Sequence, residues 1–136
     1  MAVTNFTAVP ILDTAYGHIA TNEEYISGVY HENTETEAIV RSYFSDIPVM
    51  IQIARCESTF RHTLDNGTIL RGEVDPADTG VMQINKRYHA EKAAELGLNL
   101  DDIYDNMAYA RYLYEKKGTK PWQASSPCWS RTIAMR

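Results

Sequence analysis

One turn-rich segment divides this chain and limits the folds it can adopt. Residues 63–80, TLDNGTILRGEVDPADTG, contain the pair Asn66-Gly67 with Leu64 and Ile69 close on either side. An Asn-Gly pair between apolar residues is the strongest short-range signal for a β-hairpin, because both residues tolerate positive φ. The sequence before and after this segment has helical periodicity. We therefore predict an α+β fold that is mainly α-helical, with one small β-hairpin inserted between helices.

Two amphipathic helices are predicted before the hairpin. Residues 36–44, TEAIVRSYF, place their apolar side chains on one side at helical spacing. A second helix is predicted from about Ile47 to Ser58. Asp46 and Pro48 favour its start, because aspartate caps free backbone amides and proline is tolerated in the first turn.

Two more helices are predicted after the hairpin, and together they complete one domain. Residues 88–97 end at a glycine, and residues 100–118 form the longest amphipathic segment, which also ends at a glycine. The first thirty-five residues have no sustained period. We expect residues 1–35 to form an irregular or partly packed arm and residues 36–136 to form the folded domain.

Charge and composition exclude several classes of partner. The formal net charge is -5 and the isoelectric point is near 5.3, which argues against binding to a nucleic-acid backbone. The sequence has neither an apolar run long enough to span a bilayer nor the pattern of a signal peptide at its start. We expect a soluble monomer with no nucleic-acid partner and no membrane span.

The two cysteines, Cys56 and Cys128, lie far apart and outside any spacing typical of a metal site. No metal and no cofactor are therefore predicted. A disulfide between them would close a long loop and stabilise the fold by about 4 kcal/mol in the chain-entropy model. Two buried thiols in a reducing compartment are the alternative that the count alone leaves open.

An acidic residue ends the apolar run of the second predicted helix. Glu57 follows Ile53 by four residues and Met50 by seven, so the three side chains share one face. An apolar environment and the negative end of the helix dipole both raise the pKa of a carboxyl group. Such an acid could donate a proton to a leaving group. The alternative is an ordinary helix-end acid that extends to solvent or pairs with an arginine such as Arg55 or Arg61.

Three short motifs resemble those of the lytic transglycosylase and goose-type lysozyme superfamily. They are the glutamate-serine pair at the helix end in CESTF, residues 56–60, the segment GVMQI, residues 80–84, and the helical NMAYARYL, residues 106–113. They occur in the family's order over roughly residues 47–118. The resemblance implies a lysozyme-like fold and a catalytic domain over residues 36–136.

A second resemblance concerns the cysteines. Resuscitation-promoting factors, small secreted members of this superfamily, also have a cysteine directly before the catalytic glutamate and a tryptophan-rich tail with a cysteine. RCES, residues 55–58, and PWQASSPCW, residues 121–129, are similar to that arrangement. The resemblance implies a disulfide between Cys56 and Cys128 and a secreted, periplasmic or cell-envelope location.

The family resemblance implies cleavage of the β-1,4 bond between N-acetylmuramic acid and N-acetylglucosamine in peptidoglycan glycan strands, with Glu57 as catalytic acid. After donating its proton, Glu57 could deprotonate water, as in a lysozyme, or the sugar's own 6-hydroxyl, as in a lytic transglycosylase. Asp75 and Asp78 are candidates for a second carboxylate, although a solvated turn also explains them. The residues predicted to bind substrate are Ser58, Met82, Gln83, Asn85 and Tyr109.

The tail departs from the family pattern. Many lytic transglycosylases carry an Ala-Tyr-Asn-Ala-Gly motif after the Tyr-Leu helix, whereas this chain has TKPWQASSPCW, residues 119–129. This departure weakens transglycosylation relative to hydrolysis and leaves the product open. The alternative to an enzyme is a non-catalytic lysozyme-like module that binds glycan or a protein partner.

Overall fold

The computed structural model describes the backbone of residues 28–134 and the side chains of residues 35–131. Residues 1–27 of the predicted arm lie outside this range. Contacts within the chain group Asn33–Arg136 into one compact unit.

Helices dominate residues 28–134, in agreement with the predicted α+β, mainly α class. The helices are α1 (Gly28–Tyr43), α2 (Pro48–Ser58), α3 (Lys86–Glu95), α4 (Ile103–Lys117), a 3-10 helix (Lys120–Ser125) and α5 (Ser126–Ala134). A two-stranded sheet of β1 (Asp78–Thr79) and β2 (Ile84–Asn85) precedes α3.

The first helix begins earlier than its apolar pattern indicates. We predicted helical structure from Thr36, but α1 begins at Gly28. The polar sequence HENTE, residues 31–35, carries no apolar period, so it gives no signal of a helix. The predicted apolar face is present, because Val40 and Phe44 are fully buried.

The start of α2 agrees with the prediction, but its predicted cap is wrong. The residue before the helix is Ile47, and no side chain caps the first turn. Asp46 instead accepts hydrogen bonds from both terminal nitrogens of the Arg111 guanidinium, at 2.9 and 3.1 Å. This ion pair connects the α1–α2 turn to α4.

The antiparallel sheet lies beyond the predicted hairpin turn. At Asn66-Gly67 the chain does turn, with the Gly67 amide donating to the Leu64 carbonyl and a single β-bridge joining Thr63 to Ile69. The two-residue ladder lies further on, where Asp78 pairs with Asn85 and Thr79 with Ile84. The sheet therefore flanks residues 80–83, a turn that the sequence pattern did not predict.

The core is built from the apolar faces of the helices. Met50 and Ile53 of α2 and Met107 and Ala110 of α4 are fully buried. Gly97 and Gly118 end α3 and α4 with positive φ, as predicted. No helix within residues 28–134 is long and apolar enough to cross a membrane.

Candidate active site

Glu57 lies in the last turn of α2, where the helix leaves the core. Met50 and Ile53, on the same face, are fully buried, while Glu57 itself is half-buried. Thr59 and Phe60 then adopt left-handed backbone conformations, with φ of 55° and 57°. The Thr59 amide donates to the Arg55 carbonyl and closes the helix immediately after the acid.

The environment of Glu57 raises its pKa. Burial is the main cause, and the negative charge of Asp78 adds to it. A hydrogen bond from Ser125 acts in the opposite direction. The net direction is the one we predicted from the sequence.

An arginine partner was the alternative interpretation of Glu57, and each of the two candidate arginines forms a hydrogen bond with another residue. Arg61 donates through Nε to the Ser58 carbonyl at 3.1 Å. Arg55 donates through Nε to Gln52 Oε1 at 3.1 Å. The short side-chain hydrogen bond of Glu57 is instead with a neutral hydroxyl.

That hydroxyl belongs to Ser125, the last residue of the 3-10 helix. Ser125 Oγ lies 2.6 Å from Glu57 Oε1, across 68 positions of sequence. The predicted disulfide is present between Cys56 and Cys128, and it connects α2 to α5. Cys56 directly precedes Glu57, and Cys128 comes three residues after Ser125. The disulfide therefore holds the serine next to the acid.

Ser125 can form a hydrogen bond with both protonation states of Glu57. Its oxygen lies near two acceptors, Glu57 Oε1 at 2.6 Å and the Trp122 carbonyl at 3.1 Å, but a hydroxyl has one proton. With Glu57 ionised, Ser125 donates to the carboxylate, and the Trp122 carbonyl keeps a hydrogen bond from Trp129 Nε1 at 3.1 Å. With Glu57 protonated, the acid donates to Ser125 and Ser125 donates to Trp122.

Sequence reasoning missed Ser125. It lies in a tail that has none of the family's motifs, and a serine in a turn-rich segment carries no signal of its own. The cysteine pairing was the available signal, because a bridge from Cys56 to Cys128 brings the residues just before Cys128 close to Glu57.

The GVMQ segment, residues 80–83, forms a tight turn beside the site. Gly80 has φ of 77°, and a Cβ there would lie 2.5 Å from Asn106 Nδ2 and 2.6 Å from His62 Cε1. A side chain at this position is therefore excluded both by backbone conformation and by space.

Two buried side chains hold this turn in place. His62 Nδ1 accepts the Val81 amide proton at 3.0 Å, so its Nε2 carries the proton and donates to the Asp101 carbonyl at 2.7 Å. Asn106 Oδ1 accepts from the Met82 amide at 3.0 Å. Asn106 Nδ2 also donates to the carbonyls of Thr79 and Leu100, at 3.0 and 2.9 Å. The asparagine of the third motif is thus a structural residue.

The predicted substrate-binding residues divide into a half-buried group and a buried group. Gln83 is half-buried, has φ of 50° and donates through Nε2 to the Gly80 carbonyl at 2.9 Å. Asn85 is half-buried, but its amide nitrogen donates to Asp75 and Asp78 and its oxygen caps α3 through the Arg87 amide. Gln83 therefore remains a candidate, whereas Asn85 organises the acidic turn.

Three other predicted substrate-binding residues, Met82, Tyr109 and Ser58, lie in the interior. Met82 is fully buried, and Tyr109 is 1% exposed with its hydroxyl 3.0 Å from His89 Nδ1. Ser58 is 2% exposed, donates to the Ala54 carbonyl and accepts from the Arg61 amide. Met82 and Tyr109 pack in the core, and Ser58 forms hydrogen bonds at the end of α2.

The two candidates for a second carboxylate have different environments. Asp75 forms two hydrogen bonds with the Arg87 guanidinium, at 2.8 and 3.0 Å, which hold the pKa of Asp75 well below its ordinary value. Asp78 accepts from Asn85 Nδ2 at 2.8 Å, and its charge acts on Glu57. Asp78 is therefore the acid of this turn that is coupled to Glu57.

Both tryptophans are in the core. Trp122 and Trp129 are 3% and 7% exposed. Trp122 Nε1 donates to the Met82 carbonyl at 3.0 Å and so connects the tail to the GVMQ turn. Among the residues that the structure describes, no group of three or more His, Cys, Asp or Glu could hold a metal ion.

Comparison of the chain with protein-family models, curated proteins and solved structures finds no match.

Proposed function

We propose that this protein is a peptidoglycan-cleaving glycosidase, a muramidase, in which Glu57 is the catalytic acid. The observation that carries the proposal is the half-buried carboxyl group of Glu57, whose pKa is raised and which shares a short hydrogen bond with Ser125. The resemblance of three motifs to lytic transglycosylases and goose-type lysozymes supports the choice of substrate. The lysozyme-like fold is part of the same proposal.

In the proposed reaction, protonated Glu57 donates its proton to the glycosidic oxygen as the bond from that oxygen to the anomeric carbon breaks. The ring passes through an oxocarbenium-like transition state. Glu57 is then a carboxylate, and the Ser125 hydroxyl rotates from the Trp122 carbonyl to donate to it. Because the hydrogen bond from Ser125 to the carboxylate is charge-assisted and therefore stronger than its bond with the neutral acid, proton transfer becomes more favourable.

Glu57 next acts as the base. It removes a proton from the group that attacks the anomeric carbon and returns to its protonated state. Asp78 is the proposed second carboxylate, because its charge already acts on Glu57 and would stabilise a cationic ring. An attacking water gives a reducing end, whereas attack by the sugar's 6-hydroxyl gives a 1,6-anhydro end.

The disulfide between Cys56 and Cys128 supports a location outside the reducing cytoplasm, because disulfides persist mainly in oxidising compartments. The cell envelope is where peptidoglycan is found. We therefore propose that the protein acts as a secreted or periplasmic enzyme.

The test compares Glu57→Gln with a matched variant, Glu91→Gln, which makes the same change at an exposed position on α3. Purified protein is incubated with peptidoglycan sacculi, and released fragments are analysed by mass spectrometry. We expect Glu57→Gln to lose at least about a hundredfold in release, typical of a removed acid-base group, while Glu91→Gln equals wild type. Fragment masses then assign reducing or anhydro ends.

Two results would contradict the proposal. Undiminished release by Glu57→Gln would remove Glu57 from the mechanism. A wild-type protein that binds sacculi but releases nothing would favour the non-catalytic binding module instead.

A further inference from the structure

A cavity of about 360 Å³ lies beside the proposed active site. Asp78 and Gln83 form part of one wall, and Lys120 and Trp122 of the 3-10 helix form part of another. The same 3-10 helix ends at Ser125, which contacts Glu57. A volume of this size is within the range of small-ligand sites, so the cavity has room for more than a single ion.

The cavity is cationic although the protein is acidic. Lys117 and Lys120 line it, and within residues 35–131 neither lysine takes part in an ion pair. The charge of Lys117 acts on His89, another residue that lines the cavity. Burial and the Lys117 charge together lower the pKa of His89. The one acid in the wall, Asp78, is hydrogen-bonded to Asn85.

The other features of the wall suit a ligand that is both apolar and polar. Tyr88, at 73% exposure, presents an aromatic ring at the cavity, and Trp122 and Leu113 contribute apolar surface. Gln83 adds a polar side chain to the lining of the cavity. Two ammonium groups that lack an ion pair among the described residues, beside apolar surface, are complementary to a carboxylate on an organic ligand, rather than to a neutral sugar alone.

We propose that this cavity binds a carboxylate of the peptide carried by a glycan strand, with Lys117 and Lys120 as its partners. This inference rests on the proposed function, because it assumes that the neighbouring Glu57 acts on glycan. The inference narrows the proposed substrate from glycan strands in general to strands that still carry their acidic peptides. The lysines are exposed, so their effect is on binding and is screened by salt.

The experiment uses the double variant Lys117→Gln/Lys120→Gln. Its matched control, Lys92→Gln/Lys116→Gln, removes the same charge at exposed positions outside the cavity. Each is assayed on glycan strands that carry their peptides and on strands stripped by an amidase. On peptide-bearing strands we expect the KM of the cavity variant to rise about tenfold, the effect of removing charged binding partners, with kcat kept. On stripped strands we expect no change.

A second measurement separates this inference from the proposed function. Titration of a muramyl peptide into Glu57→Gln protein, with and without the cavity substitutions, measures binding without turnover. Loss of affinity only in the cavity variant supports the inference even if the protein cleaves no glycan. Equal affinity in both proteins, or an equal change in KM on both kinds of strand, would overturn it and leave the role of Glu57 intact.

Discussion

The disulfide between Cys56 and Cys128 should carry a large share of the stability of the domain. The two residues are 72 positions apart. In the chain-entropy model, closing a loop of that length removes about 15 cal/mol/K from the unfolded ensemble, or roughly 4.4 kcal/mol at 25 °C. Domains of this size have total stabilities of about 5–15 kcal/mol. The double variant Cys56→Ser/Cys128→Ser should therefore remain folded only marginally.

Urea denaturation followed by circular dichroism measures this difference. We expect the variant to lose about 4 kcal/mol in the free energy of unfolding and roughly 15–30 °C in Tm, from the usual scaling for about 100 residues. Dithiothreitol should bring wild type to the level of the variant and leave the variant unchanged. A loss below about 1 kcal/mol would refute the reasoning, because the bridge would then constrain an unfolded chain that is already compact.

Three further predictions concern the protonation of buried groups. Ser125→Ala removes the hydrogen bond that lowers the pKa of Glu57, so the high-pH limb of glycan cleavage should move to higher pH, with Ser125→Thr restoring it; an unmoved limb would contradict the role of Ser125. Asp78→Asn removes a charge that raises the same pKa, so that limb should move to lower pH, and a shift the other way would refute the coupling. Burial lowers the pKa of His62 from 6.5, so its contribution to stability is present above pH 6.5 and is lost as pH falls below that value. Urea denaturation at pH 7.5 and pH 5 should therefore show that wild type loses free energy of unfolding at the lower pH, and that His62→Gln loses less. Equal losses in the two proteins would contradict this role of His62.

Helical periodicity predicted the elements that have one buried face. The α2 and α4 helices follow their apolar patterns closely, because packing against a single core requires an apolar residue about every three or four positions. Local rules also predicted the ends of α3 and α4, where glycines adopt positive φ. The early start of α1 was not predictable in this way, because its first residues carry no apolar period.

The parts that sequence reasoning missed depend on contacts between distant residues. The prediction that Asp46 caps α2 was wrong, because Arg111, 65 residues away, donates hydrogen bonds to both oxygens of the Asp46 carboxylate. The same holds for Asn85, an amide that looked free to bind sugar and is instead held by two aspartates. A short polar side chain forms hydrogen bonds with whichever group the fold places close to it, and the local sequence does not encode that group.

Within one site, the position of Glu57 was predictable from the sequence and the position of Ser125 was not. The inward position of Glu57 follows from helix geometry, since residues four and seven positions apart share a face. Ser125, which contacts Glu57, is brought close to it by the disulfide and the 3-10 helix. The role of Ser125 therefore depends on a contact between distant parts of the sequence. Once the cysteine pairing was inferred, the approach of the tail to α2 was predictable, but the hydroxyl that would face the acid was not.

The central claim is that Glu57 retains a proton at a pH where an ordinary glutamate has lost it. Carbon-13 NMR of the side-chain carboxyl groups, with the Glu57 resonance assigned by its absence from Glu57→Gln, measures this directly. We expect a titration midpoint above the ordinary value of 4.5. A midpoint at or below 4.5 would leave the proposed reaction without its proton donor.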